Sequence, residues 1–221
     1  GIPAEPLFRS LCLAGNGIMV PGTPAQNGFS AANKLINFLM ALYNGLASAI
    51  LGFNAQNYGR SDYRRIRQGT RQSLIIMLIM YAFCLTAGLL LSIGGAYQHI
   101  FMSEDKISEA SVRFGNTYLY VDFILYFILG FLIVTRSAVQ GITKVGYVLG
   151  AGVAELVSRV LICAYLPALV NGGATDASAS LASFAAVCFG DPGAWLLASL
   201  VLLVPTVKYI FRMQYKKEVS G

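Results

Sequence analysis

The residues of this chain best placed to do chemistry are two charges in the middle of an apolar run. Glu155 and Arg159 stand four residues apart, acid first, inside the stretch from about Gly146 to Leu169. That order and spacing favour an ion pair along one helix face. A charge at the centre of a lipid-embedded helix costs at least ~2.5–3.5 kcal/mol, so both side chains must turn from lipid toward a partner. The pair either locks this helix to its neighbours or handles a cation or substrate. Asp122 offers a second carboxylate, with Tyr118 and Tyr126 one turn to either side on the same helix face. It sits a turn into an apolar run from about Tyr118 to Thr135. There it either binds H⁺ or Na⁺ with the tyrosines as helpers, or reaches water at the outer end of the span. Asn33, Asn37 and Asn44 share one face of a third run, about Ser30 to Phe53. They either line a water-filled cavity or hydrogen-bond between packed helices.

Other chemistries find little support. No nucleophile–base set or phosphate loop appears, and the single histidine, His99, argues against a histidine metal centre. Gly150-Ala151-Gly152 lacks the preceding strand and third glycine of a dinucleotide loop. The four cysteines, Cys12, Cys84, Cys163 and Cys188, are scattered through apolar sequence and read as small buried hydrophobes. No organic cofactor or metal is expected.

The elements that position these residues are membrane helices. The chain of 221 residues is 56% hydrophobic and 12% charged, with a mean hydropathy of +0.64, where soluble domains carry roughly twice the charge. That length suits an all-α, polytopic bundle of about six transmembrane helices, each run long enough to cross a ~30 Å hydrocarbon core at ~1.5 Å per residue. Arg60, Arg64, Arg65, Arg67 and Arg71 fill a short loop between the runs ending near Phe53 and starting near Gln72. The positive-inside rule makes that loop cytoplasmic, and alternation puts Arg136, Lys144, Lys208, Arg212, Lys216 and Lys217 on the same side. Attraction to anionic membrane lipid explains this bias, and the net charge of +6, without a nucleic-acid partner. The loop reads first as a topology determinant and second as a site of lipid regulation.

Residues 1–28 read as a degenerate or partial first span: Leu7 to Val20 is short, and Pro21 and Pro24 end any helix there. Residues 29–217 hold about five full spans, and 218–221 are a tail. Ser103 to Phe114 reads as a short amphipathic helix lying along the outer interface, with Ser103 as its cap. Gly146, Gly150, Ala154 and Ser158 form a small-residue stripe that would admit a close neighbour. Asn171 to Ser183 reads as an outer loop. The last span, about Gly193 to Ile210, places Trp195 at the outer interface and a kink at Pro205.

Several pieces together resemble the C-terminal half of transporters of the multidrug and toxic compound extrusion (MATE) family. They are Gly1-Ile2-Pro3, Ala31-Ala32-Asn33-Lys34, Gln56-Asn57-Tyr58-Gly59 with the arginines that follow, Arg136 to Gly141, Glu155 to Arg159, and Pro192 to Trp195. The resemblance implies one six-helix lobe of a two-lobed antiporter, helices seven to twelve, with the N-terminal lobe missing and the chain a fragment. It implies export of a small molecule, an organic cation or amphiphile, across the plasma (inner) membrane, coupled to inward H⁺ or Na⁺, with the C-terminus cytoplasmic. Asp122 falls in the helix-ten segment, where family members use acidic and tyrosine side chains. Glu5 does not fall on a helix-seven position and inherits no role. Two alternatives stay open: a flippase for lipid-linked saccharides of a related exporter family, and a non-transporting membrane scaffold.

Cysteine-accessibility labelling is expected to place Ser61 and Lys217 on one side of the membrane and Asp105 and Thr175 on the other. Labelling of Ser61 and Thr175 from one side would overturn the order of spans.

Overall fold

A computed structural model describes residues 23–175 and 180–212. All regular structure among them is helical, and five stretches are long and apolar enough to cross a membrane. The partial span expected over Leu7 to Val20 lies outside the described residues, as do Glu5, Lys216 and Lys217.

Helix α1 (Pro24–Gly59) begins six residues ahead of the expected Ser30. The proline expected to end a helix instead begins one, because at the first helical position it lacks only an N–H that would have no partner. Thr23 caps the turn, accepting from the Gln26 amide at 3.4 Å. Helix α2 (Tyr63–Ser92) likewise starts early, capped by Asp62, whose Oδ1 accepts from the Arg65 amide at 3.0 Å. The expected arginine-filled loop therefore shrinks to Arg60–Asp62, and Arg64, Arg65, Arg67 and Arg71 lie on the first turns of α2. Arginine is a good helix former, so a cap upstream of it extends the helix through the charges.

At the far end of α2, Gly94 and Gly95 adopt left-handed φ values of 61° and 73°, which L side chains resist. The chain turns there into the short helix α3 (Ala96–Phe101). Its buried Gln98 donates to the Ser111 carbonyl at 2.9 Å and accepts from the Ser111 hydroxyl at 2.9 Å. The interfacial helix expected over Ser103 to Phe114 is not formed. Glu104–Lys106 is a single 3₁₀ turn, and the Ser103 side chain caps nothing. Ser108 and Ser111 exchange side chain-to-amide bonds in a capping box, and helix α4 (Glu109–Gly141) runs from there unbroken through the fourth span.

Helix α5 (Val145–Asn171) follows a three-residue turn. The last span runs from Leu181 to Phe211, not from Gly193, and is interrupted. Helix α6 (Leu181–Cys188) stops where Pro192 cannot donate to the Cys188 carbonyl, and α7 (Gly190–Pro205) resumes beyond Phe189. Pro205, expected to kink the span, ends the α-helical ladder, and a π turn (Thr206–Phe211) completes the span.

Short turns join α1 to α2 and α4 to α5 and make those pairs antiparallel. α4 is the central helix, packed on α1, α2 and α7, while α5 leans chiefly on α7 and α6. At the arginine-rich end, buried Asn54 of α1 reaches both Thr70 Oγ1 of α2 at 3.2 Å and the Ala138 carbonyl of α4 at 3.3 Å. At the opposite end α1 and α4 cross at Gly28 and Gly115. A Cβ on Gly28 would run into the Ser111 carbonyl and the Gly115 amide. The expected small-residue stripe on α5 serves this purpose only in part: Gly146 and Gly150 face open space, while Ser158 is buried with Ala151, Glu155 and Cys163. Trp195 is buried, its ring 6.2 Å from that of Tyr126, and so does not sit at the interface. Ile79, Phe83 and Leu90 of α2 and Leu149, Val153 and Leu161 of α5 are exposed and suit contact with lipid.

Gly115→Val is expected to cost about 1–3 kcal/mol or more by forcing the α1–α4 crossing apart, whereas Gly150→Val is expected to cost little. Thermal unfolding in detergent with a helical readout checks both; equal tolerance would show that the crossing is not close.

Candidate functional site

The Glu155–Arg159 pair forms, and it is half of a longer chain. Arg159 Nη2 donates to Glu155 Oε1 at 3.4 Å, and its Nε donates to Asp191 Oδ1 at 3.1 Å. Arg136 Nη2 of α4 donates to Glu155 Oε2. Two cations and two anions thus alternate across α4, α5 and α7. Glu155, Arg159 and Asp191 are each under a tenth exposed, while the Arg136 side chain keeps 31% of its surface. The break before α7 makes this arrangement possible. It sets Asp191 in the first turn of a helix, where the dipole favours an anion. Gly190 and Gly193 let α5 come close: a Cβ on Gly190 would lie 2.6 Å from Cys163 Sγ, and one on Gly193 would strike Ile162.

Sequence reasoning missed Asp191 and the partnership of Arg136. Asp191 precedes the expected start of the last span by two residues, so hydropathy alone put it outside the apolar window. Pro192 was the available signal, since a proline there interrupts a span and exposes a helix start within it. Arg136 counted as part of a basic turn, but α4 continues to Gly141 and places it about 8 Å inside the helix end.

Asp122 is fully buried, as are Tyr118 and Tyr126 one turn to either side. Because α4 begins at Glu109, Asp122 lies about 20 Å along the helix rather than one turn into it. In this arrangement the Asp122 carboxyl is covered by neighbouring side chains rather than open at the helix end. Aromatic rings enclose this face: Phe29 of α1 is 4.7 Å from Tyr118, and Tyr43 meets Tyr126 edge-on at 5.2 Å. The Tyr126 hydroxyl donates to the Ile36 carbonyl at 3.4 Å. The Asp122 face and the ion chain lie on different stretches of α4, so the site residues fall into separate groups.

The asparagines form the third group. Asn33 is half-buried, while Asn37 and Asn44 are exposed on the side of α1 away from the bundle. Gly45 and Ser48 continue this exposed face, and a Cβ on Gly45 or Gly52 would meet nothing within 4 Å. Ser30 and Lys34, further toward the start of α1, line a cleft of about 780 Å³ with Gln26, Asn27, Phe101 and Asp105. Lys34 Nζ donates to the Phe101 carbonyl at 3.1 Å, satisfying the end of α3.

An antiparallel bundle of apolar helices, with charges neutralised between helices and one polar face left open, defines a multi-pass membrane protein. Residues 19–165, that is 147 of the 221 residues, match the MatE family. The chain belongs to that family, which is one of membrane transporters. No curated protein and no solved structure matches it.

Removing one member of the ion chain leaves a neighbour buried with too little opposite charge, which is costlier than removing a pair. Arg159→Gln, which touches two carboxylates, is expected to lower folded yield more than Arg136→Gln. The Glu155→Gln/Arg159→Gln double variant is expected to recover part of the loss, with a coupling of about 0.5–3 kcal/mol in a double-mutant cycle. Additive losses would mean the charges do not act as a unit.

Proposed function

We propose that this chain is one lobe of a secondary active exporter of cationic or amphiphilic compounds, coupled to H⁺ or Na⁺, in the plasma (inner) membrane. The observation that carries this reading is the uncovered face of α1. Asn37 and Asn44 are polar and uncovered on a helix long and apolar enough to span the membrane, while Ser48 beside them donates to the Asn44 carbonyl at 3.0 Å. Lipid offers such groups no hydrogen bonds, so the face needs water, a second lobe, or both. A cavity between two lobes supplies both, and alternating access is the rocking of one lobe against the other about it. The cleft at Ser30 and Lys34 lies along α1 from the same face and suits an entrance to that cavity. Asp122, enclosed by tyrosines on the central helix, is the carboxylate we assign to the coupling ion, and Glu155 and Arg159 hold the shape of the lobe. The near-neutral ion chain gives no support to a flippase cavity, which would need excess positive charge for a pyrophosphate.

Reconstituted alone in vesicles, the chain is expected to show no ion-driven efflux of a cationic dye. Joined to a six-helix N-terminal lobe of its family, it is expected to export the dye, with Asp122→Asn lowering the rate roughly tenfold or more. In that assembly, cysteines at Asn44 and Ser48 are expected to react with a membrane-impermeant thiol reagent, while one at Ile79 stays unlabelled. Efflux by the lone monomeric chain, or a rate indifferent to Asp122, would refute the reading.

A further inference from the structure

At the arginine-rich end, two lysines from different helices converge on one aromatic ring. Lys144 Nζ, from the turn before α5, lies 5.0 Å from the centroid of the Tyr209 ring, and Lys208 Nζ, from the π turn, lies 5.2 Å from it. Tyr147 of α5 packs on the same ring at 6.0 Å. Neither lysine forms an ion pair with an acid among the described residues; Glu155 and Asp191, the nearest acids along these spans, pair with Arg136 and Arg159. The two ammonium groups are thus no more than about 10 Å apart, repel each other, and have no acidic partner among the described residues. Arg67 of α2 also reaches this corner, donating through Nε to the Ile210 carbonyl at 3.4 Å. The start of α5 reinforces the field, having no acidic residue in its first turn and no side-chain cap.

The surroundings indicate what kind of anion completes the cluster. It stands at the ends of two membrane-spanning stretches, Val145–Asn171 and Leu181–Phe211. Val145 and Leu149 on one and Val204 on the other are exposed apolar side chains within a turn or so of the lysines. A ligand seated here meets two ammoniums and a tyrosine at its polar end and bare aliphatic surface beyond. That is the division of an anionic phospholipid, whose phosphate sits at the headgroup level with its acyl chains alongside the helices. We propose that Lys144, Lys208, Tyr147 and Tyr209 form a binding site for one anionic phospholipid, which clamps the start of α5 to the end of the last span. The site is independent of Asp122, of the ion chain and of the α1 face, so it stands whether or not the exporter reading does.

Native mass spectrometry of the full chain in detergent, titrated with phosphatidylglycerol, tests the assignment. The tightest-bound lipid is expected to weaken roughly twenty-five-fold in Lys144→Gln/Lys208→Gln, each lysine near an anionic group being worth roughly fivefold. Lys144→Arg/Lys208→Arg is expected to retain it. Arg64→Gln/Arg65→Gln removes the same charge from the same end and is expected to change it by less than about twofold. Equal loss in the two glutamine variants would reduce the effect to the general field of this end, and unchanged binding in the lysine variant would leave no site; either overturns the proposal. Competition by inorganic phosphate as strong as that by the lipid would mean the cluster reads a free anion, and would overturn it too. If the double glutamine variant does not fold, Lys208→Gln alone, at an exposed position, is expected to show about a fivefold loss; no loss there counts against the site.

Discussion

A membrane helix gains little by burying apolar side chains against its neighbours, since lipid tails offer much the same environment. Close packing and interhelical bonds must hold α5 to this bundle; α7 and α6 supply the packing, and the chain of charges from Arg136 through Glu155 and Arg159 to Asp191 supplies bonds to α4 and α7. α5 has a narrow buried strip and little contact with the central helix α4, yet two of its side chains bridge α4 to α7. Each charge is tolerable at depth only because the next one neutralises it. Much of the local architecture follows from that requirement. The break at Phe189 supplies a carboxylate at a helix start, and glycines at 190 and 193 bring the arginine within reach.

α4 organises the rest. One end is locked by the Ser108–Ser111 box and Gln98, the other by Asn54, and both locks use buried polar groups whose bonds are worth making where water is absent. Between them the Tyr118–Asp122–Tyr126 face is packed with rings from α1 and α7. A carboxyl group so enclosed is sensitive to small movements of α1, and α1 is also the helix that presents the open asparagine face. The two features proposed to matter for transport therefore share a helix contact, through Phe29, Ile36 and Tyr43. Any second lobe resting on α1 would act on that contact directly.

The lysine–tyrosine cluster plays a different part. It joins α5 to the last span, as the ion chain does, but at the ends of those spans, and with no acidic partner among the described residues. Internal neutralisation suits the buried position, where an outside ion could not follow. Near the headgroups a mobile anion is at hand, so the chain need not supply one.

Much of this protein was legible in the order of its residues. Apolar runs of membrane-spanning length, with arginines and lysines at alternate ends, settle an all-α membrane bundle, because lipid permits few other ways to satisfy a backbone. The i,i+4 spacing of Glu155 and Arg159 likewise settles that they can meet, since one helix fixes both. Helix ends were less legible. The start of α1 at Pro24, the arginines on α2 and the merger of the expected interfacial helix into α4 turned on caps, which are local hydrogen bonds that hydropathy does not register. What only the tertiary structure decided were the partners across helices. Asp191 and Arg136 lie 55 residues apart in sequence and reach Arg159 and Glu155 from different helices; Trp195 turns inward to Tyr126; Gly146 and Gly150 face outward although their spacing suits a contact. Which side of a helix meets which neighbour depends on its rotation in the bundle, and that is set by every helix at once rather than by the spacing within any one.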